Sequence, residues 1–218
     1  MTVKYNHYWR VCPDTLADYR KFIINAFIPG INKLGIHTVA AWSVLIGGYS
    51  EIIFEGVSND LECVEQALNN PLYKDLNQRL LDYVRNYRTK VLIQKSGEDT
   101  YSTDFQDNTV KFIQTWDIQC TKRPAYDDFI NSSYLPFLEE IGIYIAGEWE
   151  VLIGDGPRII LEGRSLNASA LISSLQSKIF RSRKRHLVKY IENYESRLLV
   201  FHIQKNKGYK SASYYMAQ

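Results

Sequence analysis

Glu55 and Glu162 close two copies of one short pattern, Ile-Ile-x-Glu-Gly, set 107 positions apart. A carboxylate turned into a closed, apolar interior is harder to ionise, and it can then take a proton from an activated C–H bond. His7 is a second candidate, because a neutral imidazole acts as acid or base, or ligates haem iron. Glu55 and His7 are therefore the candidate catalytic residues. Tyr5, Trp9, Gln114, Trp116, Glu148, Glu150 and Glu162 are the candidate ligand-binding residues, with the tryptophans offering flat surfaces for a planar ligand. Each candidate also has a plainer reading. The glutamates could form ion pairs with Arg158 or Arg164, His7 could be a hydrogen-bonded core histidine, and repeated tryptophans most often pack.

The glutamates repeat because the whole chain does. At the same offset Val3-Lys4 meets Val110-Lys111, Trp9 meets Trp116, Tyr19 meets Tyr126, Pro29 meets Pro136 and Gly35-Ile36 meets Gly142-Ile143. Trp42-Ser43-Val44-Leu45-Ile46-Gly47 returns as Trp149-Glu150-Val151-Leu152-Ile153-Gly154, and Asn86-Tyr87 returns as Asn193-Tyr194. Roughly 25 identities fall over about 90 positions without a gap, which is one module written twice.

The elements that must position these residues follow from periodicity. Residues 3–11 predict a strand, with Tyr5, His7 and Trp9 on one face and Lys4, Asn6, Tyr8 and Arg10 on the other. Asp14 is placed to cap a helix carrying Leu16, Tyr19, Phe22, Ile23 and Phe27, which Pro29 should kink. Gly35 closes it with a left-handed residue. A hairpin of residues 36–46 and 50–57 follows, then a helix capped by Asn59 or Asp60 that restarts at Pro71, then a strand over 89–95. That order is β-α-β-β-α-β, the ferredoxin-like plan. The chain thus divides into a first module (1–95), an acidic polar linker (96–109), a second module (110–204) and a polar tail (205–218) whose end is expected to be mobile.

A four-stranded sheet with both helices on one face leaves the other face bare. Two copies in one chain can cover each other, so the predicted fold class is α+β, with tandem ferredoxin-like modules forming one intramolecular α/β barrel. The alternative pairs each copy with one from another chain. Alternation puts Trp42, Val44, Ile46, Ile52 and Phe54 under the helices. It gives the opposite parity to Ser43, Glu51 and Glu55, and to Tyr144, Glu148, Glu150, Arg158, Glu162 and Arg164. Tyr5, His7 and Trp9 are assigned to the inner face as well. The expectation is a polar, partly hydrated cleft between the sheets, with a ligand touching His7 or Glu55.

Hydrophobic content of 45%, charged content of 23% and a net charge of +2 are ordinary for a soluble globular protein and imply no nucleic-acid partner. Cys12, Cys63 and Cys120 are an odd set without metal spacing, so reduced thiols and a cytoplasmic location are expected. No apolar run reaches the roughly 20 residues of a membrane span. The basic run Arg181, Arg183, Lys184, Arg185, His186 and Lys189 is absent from the first copy and reads as a solvated helix face. Neither His7 nor His186 has the paired context of a haem site. No Walker loop, dinucleotide fingerprint or zinc pattern is present, so no cofactor and no metal are expected.

Taken together, these features resemble the NIPSNAP family of the dimeric α/β-barrel superfamily. The resemblance rests on the opening strand followed by Pro13, Leu16, Ala17 and Tyr19, on Pro29, and on Gly35, Trp42 and Gly47. Asp60-Leu61-Glu62 and Asn70-Pro71-Leu72-Tyr73 extend it, and it spans both copies. Tyr5 and His7 stand where the family often has Glu and Arg, and Lys178 replaces the second-helix proline in copy two. The superfamily also holds cofactor-free monooxygenases, haem-degrading enzymes and chlorite-dismutase-like haem proteins. Membership therefore implies a fold far more than a reaction. The resemblance leaves two readings of function. One is a small-molecule-binding protein or cofactor-free enzyme with its site between the sheets. The other is a non-enzymatic module that associates through its sheet faces, including with further copies of itself.

Overall fold

The structure is a computed structural model, and it describes residues 2–47, 50–95, 101, 105–206 and 213–216. The first half runs β1 (Val3–Val11), α1 (Leu16–Phe22), α2 (Ile28–Lys33), β2 (His37–Ile46), β3 (Ile52–Ser58), α3 (Leu61–Asn69), α4 (Pro71–Leu81) and β4 (Val84–Gln94). The second half repeats it as β5 (Val110–Ile118), α5 (Arg123–Phe129), α6 (Leu135–Glu140), β6 (Tyr144–Ile153), β7 (Ile159–Ser165), α7 (Ala168–Gln176), α8 (Lys178–Leu187) and β8 (Ile191–Asn206). A last strand, β9 (Ser213–Met216), pairs antiparallel with β8.

Each half forms a sheet in the order β2-β3-β1-β4 or β6-β7-β5-β8, every pair antiparallel. Two seams join the halves: β4 pairs with β6, and β2 pairs with β8. The eight strands therefore close into a barrel, which removes the sheet edges that would otherwise seek partners. The bare faces predicted from the sequence cover each other within one chain.

The helices form an outer layer over apolar residues of the strands. Tyr19, Phe22, Ile23, Phe27, Ile31, Leu76 and Leu80 pack on Val3, Tyr5, Trp9, Ile52 and Phe54. The second half does the same with Tyr126, Ile130, Tyr134, Leu138 and Phe180 on Phe112, Trp116, Ile159 and Leu161. The expected kink near Pro29 takes the form of a π-helical turn, Ile23–Phe27, which widens the helix just ahead of the proline. Ile130–Tyr134 repeats it before Pro136. Asp60 caps α3 through Cys63 N at 2.7 Å, Asn70 caps α4, and Gly35 is left-handed at φ 83°.

Two local expectations are corrected. Asp14 lies within a short 3-10 turn, Pro13–Thr15, and makes no side-chain cap. β4 begins at Val84 rather than residue 89, because a bulge sets two residues, Asn86 and Tyr87, against Trp9. Asn86 takes φ 57°, as its twin Asn193 does at 54°, a conformation that asparagine tolerates. Of the expected linker, 96–100 and 102–104 lie outside the described residues, but Tyr101, Phe105 and Thr109 are buried. In the expected mobile tail, 207–212 and 217–218 likewise lie outside the description, while Tyr214 donates to Thr38 O at 3.0 Å. No helix among the described residues is long and apolar enough to cross a membrane.

Candidate functional site

The registers decide which side chains look into the barrel. Directly paired residues share a face. Tyr8 pairs with Ile53 and Arg88, Asn6 with Glu55 and Lys90, and Lys4 with Val57 and Leu92. Ile113 pairs with Glu162 and Arg197, and Lys111 with Arg164 and Leu199. These residues form the lumen. His7, Tyr5 and Trp9 have the other parity and lie beneath the helices.

At mid-height the lumen holds four charges that are fully buried. Lys4 Nζ lies 2.5 Å from Glu162 Oε2 and 3.6 Å from Glu55 Oε1, and Lys111 Nζ lies 2.5 Å from Glu55 Oε1 and 3.5 Å from Glu162 Oε2. Two lysines and two glutamates thus alternate around a ring with no net charge. Isolated, any one of them would be costly to bury; paired crosswise, each has two partners of opposite sign. Burial raises the Glu162 carboxyl, but Lys111 and Lys4 outweigh it and hold the group down at about 2. Burial dominates at Lys4 and lowers its ammonium to about 8 against the pull of Glu162 and Glu55.

One end of the lumen is stopped by aromatic rings. Tyr101 meets Trp149 edge-on at 5.3 Å, Phe105 meets Trp42 at 5.2 Å, and Phe201 stacks on Trp42 at 4.3 Å. Lys4 Nζ sits 3.9 Å from the centre of the Tyr101 ring, and the Arg164 guanidinium lies 4.2 Å from that of Phe105.

Towards the other end the lumen widens into a cavity of about 370 Å3. Asn6 and Glu162 form its floor, and Tyr8, Ile53, Ile113 and Ile160 form its walls. Arg88, Lys90, Arg197, Glu195 and Asp155 surround its mouth. Asn6 Oδ1 and Glu162 Oε1 are both buried there without a hydrogen-bond partner. At the mouth, Glu51 receives Arg88 at 2.7 Å and Arg197 at 2.8 Å, and Arg197 also reaches Glu195 at 3.1 Å.

The predicted site residues are split by this architecture. Glu55 and Glu162 do converge, as the repeat suggested, but on lysines rather than on Arg158 or Arg164. The inner-face placement of Tyr5, His7, Trp9, Gln114 and Trp116 is corrected, since all five belong to the layer between strands and helices. There Tyr87 Oη lies 2.9 Å from His7 Nδ1 and Tyr73 Oη lies 2.6 Å from Tyr5 Oη, while Gln114 Oε1 accepts from Tyr134 at 2.5 Å and Tyr194 at 3.0 Å. Burial pushes His7 down to about 3, so it stays neutral and sealed from ligand. Glu148 faces the helices too, accepting from Tyr126 at 2.9 Å and Lys95 at 3.0 Å. Glu150 pairs with Ile159, a residue of that same outer layer. Conversely Trp42 and Trp149, assigned to the helix side, are lumen residues. The register shift between Thr38 and Ala40 in β2, and its counterpart between Ile145 and Gly147 in β6, reverse the parity assumed for them.

Sequence reasoning passed over Lys4 and Lys111, because a strand lysine reads as solvent-facing. The signal was present: both lysines and both glutamates repeat at one offset. Among the described residues, no group of His, Cys, Asp and Glu could hold a metal ion.

No protein-family profile and no curated protein matches this sequence. Solved structures do match its fold. A candidate monooxygenase of Fusobacterium nucleatum superposes over 100% of this chain and 98% of its own, with a TM-score of 0.63 and 11% identity. One from Lactobacillus acidophilus covers 91% of this chain and 93% of its own, at TM-score 0.59 and 9% identity. A NIPSNAP family protein of Agrobacterium tumefaciens matches one half, covering 44% of this chain and 96% of its own at TM-score 0.37 and 14% identity. The fold is that of the dimeric α/β barrels, here with both halves in one chain. Identities this low carry the architecture and not the reaction.

Proposed function

We propose that this protein binds a small molecule in the open half of its barrel lumen. One observation carries the reading: a cavity of about 370 Å3 lies in the lumen between the apolar side chains of Tyr8, Ile53, Ile113 and Ile160 and the polar ones of Asn6, Glu162 and Lys90. The size suits a ligand of one or two rings, and apolar walls with a few convergent polar groups are the usual make-up of such sites. The competing reading, association through bare sheet faces, loses its basis, because each sheet is covered by helices outside and by the other sheet inside.

The lumen also bears on chemistry. Glu162 stays ionised at any physiological pH, which suits it to accept a hydrogen bond and to stabilise developing positive charge. It is a poor fit for the raised carboxyl that proton abstraction from carbon requires. Lys4, lowered to about 8 by burial, is brought towards exchanging a proton near neutrality. Fluorescence titration with naphthol tests the binding reading. Saturable binding is expected, and Ile113→Trp, which fills the cavity from its wall, should abolish it. Failure of naphthol and of a panel of other small ring alcohols to bind would overturn the proposal.

A further inference from the structure

The mouth of the cavity contains a cation that has no ion pair among the described residues. Arg88 and Arg197 are held by Glu51, and Arg197 also by Glu195. Lys90 is 7% exposed and lines the same opening, yet no carboxylate of the described residues lies within 4 Å of its Nζ. Its neighbours oppose its charge: burial first, then Arg88 and Arg197, lower the ammonium below its ordinary value, against weaker support from Asp155 and Glu51. A buried ammonium among arginines is held there by backbone pairing, since Lys90 sits opposite Asn6 in the β1–β4 ladder and must point into the lumen.

Among the described residues the mouth presents one cation without an ion pair, Lys90, and so asks for an anion. Deeper in lie Asn6 and Glu162, whose Oδ1 and Oε1 are buried without partners. Between them lie the apolar walls of Tyr8, Ile53, Ile113 and Ile160. Resting on the binding function proposed above, we infer that the ligand is a small organic monocarboxylate, with Lys90 as its carboxylate-recognition residue and the apolar walls holding its ring. One negative charge is the right number. Glu195 and Asp155 also line the mouth, and a doubly charged phosphate would meet both of them with one unpaired cation, among the described residues, in return. The halves of the chain differ in the way this requires. The twin of Lys90 is Arg197, which is already engaged by carboxylates, and the twin of Asn6 is Ile113, a wall residue. Among the described residues the duplicated barrel thus has one such unpaired cation at this mouth rather than two.

The test compares hydroxynaphthoate with uncharged naphthol by fluorescence titration on the full chain, in wild type, Lys90→Met and Lys90→Arg. A charge-assisted hydrogen bond should favour the acid at least ~10-fold in wild type. Lys90→Met should erase that preference by bringing the affinity for the acid down to that for naphthol, with urea unfolding showing that the variant is folded, and Lys90→Arg should keep it. Equal affinity for the two probes in wild type, or a preference for the acid that survives Lys90→Met, would overturn the inference and leave the cavity reading intact. Loss of both probes in Lys90→Met would overturn the specific role of its charge. Binding of neither probe to wild type would overturn the inference, and the ring-alcohol panel then decides the cavity reading separately.

Discussion

Trp42 donates its indole N–H to Glu55 Oε2 at 2.9 Å, whereas the duplicate pair of Trp149 and Glu162 makes no such bond. Trp149 Nε1 and Glu162 Oε1 are both left without partners. The neighbouring position explains the difference. Ala40 stands beside Trp42, but its twin is Gly147, and a methyl group there would come within 3.0 Å of Trp149 Nε1. The Trp149 ring occupies the room that the missing methyl leaves. The two halves thus hold equivalent carboxylates, one satisfied by its tryptophan and one with a buried oxygen left without a partner.

The charge ring should behave as a unit. Lys111→Met leaves Glu55 and Glu162 sharing one lysine in a dry interior, and should cost about 3–5 kcal/mol in urea unfolding. Adding Glu55→Gln restores neutrality, so the double variant should be more stable than Lys111→Met alone. Additive losses would mean that the four groups are not energetically linked.

Acid should act through Glu162. Its folded carboxyl is depressed to about 2 from an ordinary 4.5, by Lys111 and Lys4 against burial. A depressed acid contributes stability that is present above pH 4.5 and lost as pH falls through about 2. The full loss amounts to roughly 3 kcal/mol. Chemical denaturation of wild type and Glu162→Gln across that window should show a shallower pH slope in the variant. Parallel slopes would place the acid sensitivity elsewhere.

His7 should add a second acid step at higher pH. Burial lowers it from 6.5 to about 3, so the unfolded chain binds a proton that the folded chain refuses. Stability is then complete above pH 6.5 and falls as the pH drops towards 3, by about 1.4 kcal/mol per unit for one proton. His7→Gln copies the second half, where Gln114 accepts from Tyr194, the twin of Tyr87. The variant should fold, keep naphthol binding, and lose one proton's worth of slope between pH 6.5 and 3. His202, lowered to about 4 by burial and by Arg20, keeps a residual slope in both proteins. Loss of naphthol binding in His7→Gln would contradict its place outside the lumen.

The repeat, the strand and helix order and the need to cover a bare sheet face were legible in the residues alone, whereas pairing within one chain rather than between chains was settled by the β4–β6 and β2–β8 seams. What was legible rests on local periodicity, on prolines and glycines with backbone meaning, and on a bare sheet face that must be covered. The alternation of β1 was legible too, since Tyr5, His7 and Trp9 do share a face opposite Lys4, Asn6 and Tyr8. Which face turned inward was not. A lysine on a strand is read as solvent-facing, and only the closure of the barrel shows that Lys4 and Lys111 lie within reach of Glu162 and Glu55, 158 and 56 positions away. The parity of Trp42 and Trp149 likewise hung on register shifts in β2 and β6 that periodicity does not reveal. Tyr101 and Phe105 sit in a polar stretch, and they become core residues only because the aromatic end of the lumen is there to receive them. Pairing between distant charges and register across a bulge depend on the whole chain, because the free energy that settles them comes from contacts that do not exist until the barrel is closed.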